Sequence, residues 1–201
     1  MGEQKTTEKE VLTIEVEKRY TAQDFEKMPE GPPYFELINN RLVMEASPEL
    51  PHQRSSLSIA KKLDDFVEQH SRGIVLEAPM DVELDADNVF QPDILYISKE
   101  RFDIIKEGRK IKGAPDLVIE ILSSNKKYDQ EEKKYVYELH DVLEFWLVDV
   151  KKKQVEVYEN VRKEFVLRQK AYPGDTIYSK ILKGFELPAD YVFREIPTPK
   201  K

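Results

Sequence analysis

A single α+β domain, built on a mixed central β-sheet flanked by at least two sizeable helices and extended by antiparallel strands, is what this sequence predicts. Three observations carry that reading. Leu117-Val118-Ile119-Glu120-Ile121-Leu122 is a nearly continuous apolar run, opened by Gly113-Ala114-Pro115 and closed by Ser123-Ser124, the pattern of a central strand buried on both faces. Two segments, Pro51 to about His70 and Asn125 to Leu139, carry helical spacing or strong helix formers. From Glu144 to Gln169, short β-like runs alternate with turn residues as an antiparallel series does. The 201 residues show no repeat and no linker, so one domain spans 1–201, with 1–20 and 195–201 peripheral.

In chain order, Met1 to Glu10 reads as a frayed terminus and Val11 to Val16 as a short strand. Thr21 and Asp24 bracket a capped turn of helix, stopped before Pro29 and Gly31. Tyr34 to Ile38 and Arg41 to Glu45 flank Asn39-Asn40 as a hairpin. Pro51 suits the first turn of a helix whose face runs His52, Ser56, Ile59, Leu63, Phe66 and Val67, and Gly73 is expected to end it. Strands are expected at Ile74 to Leu76, Asp81 to Leu84 and, without a break, Val89 to Ile97. Lys99 to Glu107 reads as a short helix and Gly108 to Gly113 as a charged loop. Glu144 to Asp149 is a further strand, Lys151-Lys152-Lys153 a turn, and Phe185 to Val192 the last apolar segment.

Composition narrows the function. No run is long and apolar enough to span a membrane, and the start carries no signal-peptide core, so a cytoplasmic location is expected. The absence of cysteine excludes disulfides and thiolate metal sites. A net charge of −7 speaks against an extensive phosphate-gripping surface, yet a site that holds a metal ion must itself be acidic.

The residues that draw attention are acids in apolar strands. A carboxylate among Val118, Ile119 and Ile121 costs several kcal/mol unless it is paired, protonated or metal-bound. Taken alone, Glu120 reads as half of a buried ion pair, and Asp93, after Pro92, as an acid capping a turn. Taken together, acids on consecutive core strands suit a hard cation such as Mg²⁺, which takes one or two carboxylates plus waters. In the helix after the Glu120 strand, Asp129, Lys133 and Tyr137 share a face; Lys133 could orient a water or offset developing phosphate charge, while Lys134 should point to solvent. Asp129 and Lys133 also have the spacing of an ordinary surface pair. Glu36 is a lone acid between Phe35 and Leu37, and His52 sits in the first turn of the long helix, where a histidine is more often packed and hydrogen-bonded than a ligand, although beside an acidic pocket it could bind substrate phosphate or shuttle protons.

Pro92-Asp93 followed by Glu120-Ile121-Leu122 resembles the PD-(D/E)xK nuclease superfamily. With Tyr34 to Val43, Pro51-His52-Gln53-Arg54, the Asp129/Lys133/Tyr137 face and Glu144 to Asp149, the finer likeness is to the bacterial Uma-type putative restriction endonuclease family, over roughly Thr21 to Tyr158. That resemblance implies a restriction-endonuclease-like core and a Mg²⁺-dependent endonuclease (Mn²⁺ as substitute) acting on nucleic acid, foremost DNA, with a homodimer as the expected assembly. It implies Asp93 and Glu120 as metal ligands and Glu36, His52 and Lys133 as further catalytic residues. Two departures stand out. The superfamily lysine two residues after Glu120 is Leu122, its place taken by Lys133, and the usual hairpin glycine is Asn40. The alternative is an inactive nuclease-fold protein serving as a binding or assembly module; a purely structural Glu120–Lys133 pair is the third reading, and it predicts direct contact with no room for a cation.

Overall fold

Two six-stranded sheets, where the sequence led us to expect one, carry the chain. The computed structural model describes residues 18–45, 47–108, 110–122 and 127–195, with side chains from 131 onward in the last segment. The expected strand at Val11 to Val16 lies outside the described residues.

Helix α1 (Ala22–Phe25) is a single turn closed by a capping box: Asp24 N–H donates to Thr21 Oγ1, and Thr21 N–H donates to the Asp24 carboxylate at 3.0 Å. Strands β1 (Phe35–Ile38) and β2 (Arg41–Met44) form the hairpin, pairing Glu36 with Val43. Both turn residues are left-handed, Asn39 at φ 46° and Asn40 at φ 64°, the conformation a two-residue hairpin turn demands. Asparagine tolerates it, so the missing glycine leaves the turn intact.

Helix α2 (Leu50–Gln69) carries Pro51 in its first turn and buries Ser56, Ile59, Leu63 and Val67. Gly73 does not end it; that residue opens strand β3 (Gly73–Glu77). A Cβ there would lie 2.1 Å from the Ile97 carbonyl oxygen, so glycine is required by strand approach. Gly73→Ala is expected to cost about 1–3 kcal/mol through the forced shift of the strand pair, read as a lowered urea midpoint.

Strands β4 (Val82–Glu83), β5 (Val89–Phe90) and β6 (Ile94–Ser98) follow. The single strand expected from Val89 to Ile97 is therefore two, in different sheets. Pro92 has no N–H to give a ladder, and the Gln91 N–H goes to the Glu36 carboxylate, so pairing stops there. A 3₁₀ segment (Lys99–Ile104) leads to β7 (Ile105–Lys106) and β8 (Lys110–Lys112). The segment read as a charged loop thus holds a strand; Ile111 is buried between its two lysines and pairs with Val82.

Strand β9 (Leu117–Ile121) is joined through α3 (Lys127–Leu139) to β10 (Glu144–Asp149), which lies parallel to it, and a parallel pair requires such a crossover. Strands β11 (Gln154–Asn160) and β12 (Phe165–Ala171) continue antiparallel. A small ribbon of β13 (Thr176–Tyr178) and β14 (Glu186–Pro188) and the last turn α4 (Ala189–Val192) complete the order.

The sheets run β2-β1-β5-β4-β8-β7 and β12-β11-β10-β9-β6-β3. Alternation divides β9: Leu117, Ile119 and Ile121 pack with Ile59, Leu63 and Val67 of α2, whereas Val118 packs with Val136 and Tyr137 of α3. Glu120 falls on the second face. The α+β class, the mixed sheet and the flanking helices agree with the sequence reading. Among the described residues, no helix is long and apolar enough to cross a membrane.

Candidate active site

The break at Gln91-Pro92-Asp93 brings one carboxylate from each sheet to the same place. The β6–β9 register pairs Ile94 with Ile119, so Asp93, one residue before, falls beside Glu120. Asp93 Oδ2 accepts the Ile121 N–H at 2.7 Å and lies 3.3 Å from His52 Nε2 at the start of α2. From the other sheet, Glu36 Oε1 accepts the Gln91 N–H at 2.7 Å. Helix α3 closes the group: Lys133 Nζ lies 2.7 Å from Glu36 Oε1 and 2.8 Å from Glu120 Oε1, and the Tyr137 hydroxyl donates to Glu120 Oε1 at 2.8 Å. All five residues singled out in the sequence, Glu36, His52, Asp93, Glu120 and Lys133, thus converge. The side chain of Asp129 lies outside the described residues.

Electrostatics here follow from burial and from a surplus of acids. Burial pulls the Lys133 ammonium down, but Glu120 and Glu36 outweigh it and hold it above the ordinary lysine range. Burial pushes Glu36 up to about 8; Lys133 opposes this, while Glu45 and Glu120 add to it. Glu120 is raised by burial and by Asp93 against the pull of Lys133 and Tyr137. Burial and the Glu120 charge also raise Tyr137, so its phenol stays a donor. Burial lowers His52, but Asp93 outweighs it and favours the imidazolium. Among the described residues one ammonium, Lys133, serves both Glu36 and Glu120, and the surplus negative charge calls for protons or a further cation.

Sequence reading missed two members. Glu45 was not singled out, yet it bears on Glu36; with Glu36 opposite Val43, Glu45 is the diagonal neighbour on the same hairpin face, a relation the register could have supplied. Tyr137 was placed on the Lys133 face but given no role. One expectation needs correction: Lys134 does not point freely to solvent but lies half-buried across the Tyr158 ring, 3.4 Å from its centre, because its stem covers the edge where α3 meets β11.

The residues present fit a hard cation. Among the described residues, the polar contacts to Glu120 fall on Oε1 and those to Asp93 on Oδ2, which leaves one oxygen of each adjacent carboxylate. No group of three or more His, Asp or Glu side chains among the described residues is arranged to hold an ion by itself. The donor set therefore suits an ion that keeps waters and takes substrate oxygens, which is the habit of Mg²⁺. The direct contact predicted by a purely structural Glu120–Lys133 pair is also present, but it engages Oε1 alone.

Glu144 accepts the Trp146 indole N–H at 2.6 Å and the Lys180 and Ile181 N–H groups at 2.7 and 3.1 Å, so it docks the C-terminal segment. A cleft of about 960 Å³ adjoins Gln91, but its Lys110 and Lys112 are paired with Glu26 and Glu83 and offer no positive field for a phosphate.

The structure is similar to the crystal structure of a putative nuclease belonging to DUF820 from Anabaena variabilis ATCC 29413, with a TM-score of 0.72 and 22% identity, covering 86% of this chain and 97% of that one. At that identity the likeness establishes the fold. Comparison with curated proteins gave no match. The model of the Uma2 family, described as putative restriction endonucleases, matches residues 22–190. That span takes in both six-stranded sheets, the helix that carries Lys133 and every residue of the group described above, and the chain therefore belongs to the Uma2 putative restriction endonuclease family.

Proposed function

We propose that this chain is a Mg²⁺-dependent endonuclease that hydrolyses phosphodiester bonds in DNA. The observation that carries the reading is the adjacency of Asp93 and Glu120 across β6 and β9, each with its polar contacts among the described residues on one oxygen. Like charges placed directly opposite are unfavourable, and a shared cation removes the penalty. Asp93 and Glu120 would hold the ion, which when bound lowers the pKa of a coordinated water and offsets charge on the phosphate.

The chain's own residues supply the rest. Lys133, held charged, commits two of its three donors to Glu36 and Glu120 among the described residues, and the third serves a phosphate oxygen or the attacking water. Glu36 fixes that ammonium through the Gln91 backbone contact it also makes. His52 holds Asp93 through Nε2, with its positive charge set beside the carboxylate. The site is single, so two copies in a homodimer would cut both strands of a duplex.

Purified chain is expected to convert supercoiled plasmid to cut product with Mg²⁺ or Mn²⁺ and to stop on addition of EDTA; cleavage that persists in EDTA would sink the proposal. Linear product without a nicked intermediate is the outcome expected of the dimer. One observation favours a second reading, an inactive binding module: the position two residues after Glu120 is apolar and Lys133 is already engaged by two carboxylates. A chain of that kind would take up no Mn²⁺ in a calorimetric titration, whereas the nuclease reading requires uptake.

A further inference from the structure

We infer that Tyr137 is a positioning residue: its hydroxyl locks the Glu120 carboxylate in one orientation, dedicating Oε1 to helix α3 and presenting Oε2 for the cation. This rests on the metal-dependent reading above and extends it to a residue outside the acid–lysine set. Three features of the structure carry it. The hydroxyl donates to Oε1 at 2.8 Å, the same oxygen that Lys133 contacts at 2.8 Å. Both donors come from one face of α3, four residues apart, so they approach that oxygen from a single rigid element.

The ring that carries the hydroxyl is fully buried and held from two sides, edge-on to Phe90 at 5.2 Å and beside Phe145 at 5.9 Å. A donor fixed in this way cannot follow the carboxylate if it turns. Lys133, by contrast, divides its contacts between Glu36 and Glu120 and would tolerate either oxygen of each. The neutral phenol adds direction without adding charge, and only to Glu120. Groups that orient a metal-binding carboxylate in this manner commonly set metal affinity by a factor of about 10–100.

The test is calorimetric titration of the full chain with Mn²⁺, comparing wild type, Tyr137→Phe and Val157→Ala. Tyr137→Phe removes the hydroxyl and keeps the ring; its Kd for Mn²⁺ is expected to rise about 10–100-fold while cooperative unfolding is retained. Val157→Ala opens a cavity on the other face of the sheet and leaves the Tyr137 ring and its neighbours in place, so its Kd should match wild type even though its unfolding midpoint falls. Equal Mn²⁺ affinity in Tyr137→Phe and wild type would overturn the inference and leave the metal-dependent reading standing. Failure of the wild type itself to bind Mn²⁺ would remove both. Tyr137→Met serves as a second variant; loss of cooperative unfolding in both would assign the tyrosine to the fold alone and overturn the proposal.

Discussion

Lys133→Met is expected to destabilise the protein by about 3–5 kcal/mol, because it leaves two buried carboxylates without the cation that both of them contact. Methionine nearly conserves the stem, so the cost comes from charge rather than from a cavity. For a chain of 201 residues, each kcal/mol moves the melting midpoint by roughly 2–4 °C, so the shift should stand well clear of error in a thermal scan. Adding Glu120→Gln to Lys133→Met should recover part of the loss by removing one of the stranded charges. A single variant as stable as wild type would show that the carboxylates are protonated in the native state and need no lysine.

The second large effect falls on catalysis and spares the fold. Glu120→Gln keeps the shape and still offers an oxygen to the Tyr137 hydroxyl. Lys133 keeps its 2.7 Å contact with Glu36, so the ammonium retains a carboxyl partner. Stability should therefore change by no more than about 1–2 kcal/mol. On the proposed reading, however, the cation would lose one of its two carboxylates. With several kcal/mol of transition-state stabilisation assigned to the ion, and a factor of ten for each 1.36 kcal/mol, cleavage should fall by roughly 10³-fold or more. Asp93→Ala is expected to match it, because it removes the other carboxylate. Mg²⁺-stimulated plasmid cleavage at wild-type rate by either variant would break the assignment, provided urea unfolding shows both to be folded.

What could be read from the chain was whatever local pattern dictates. The Asn39-Asn40 hairpin, the α2 and α3 faces and the apolar runs of β9 and β10 stand where spacing put them, since period and turn chemistry act within a few residues. The split between β5 and β6 was missed although Pro92 marks it: Val89-Phe90 and Ile94 to Ile97 look alike as β-formers, and the partner of the Gln91 N–H that completes the break is tertiary. Gly73 was misread because a glycine after a helix suggests a cap, whereas its actual constraint, the Ile97 carbonyl oxygen, is 24 residues away in sequence. The Lys110-Ile111-Lys112 strand is too short to show a period.

The candidate site was legible in its membership and not in its wiring. An acid in an apolar strand announces itself by its cost, which marked Glu36, Asp93 and Glu120. Nothing local told that Lys133 would be shared between Glu36 and Glu120, since those acids belong to different sheets. The same holds for Tyr137, whose hydroxyl acquires a purpose only once α3 is laid over β9.

The place of Glu36 also decides where this protein can be cut. By position the β1–β2 hairpin is an N-terminal extension that a shortened version of the chain would discard first. Yet Glu36 is one of the two counter-ions of Lys133, and Leu37 and Ile38 beside it are fully buried. A fragment beginning at residue 47 would keep Asp93, Glu120 and the whole of the second sheet while leaving Lys133 with Glu120 alone in an opened interior. A minimal version of this fold must therefore begin ahead of Phe35 to retain Glu36 in its site.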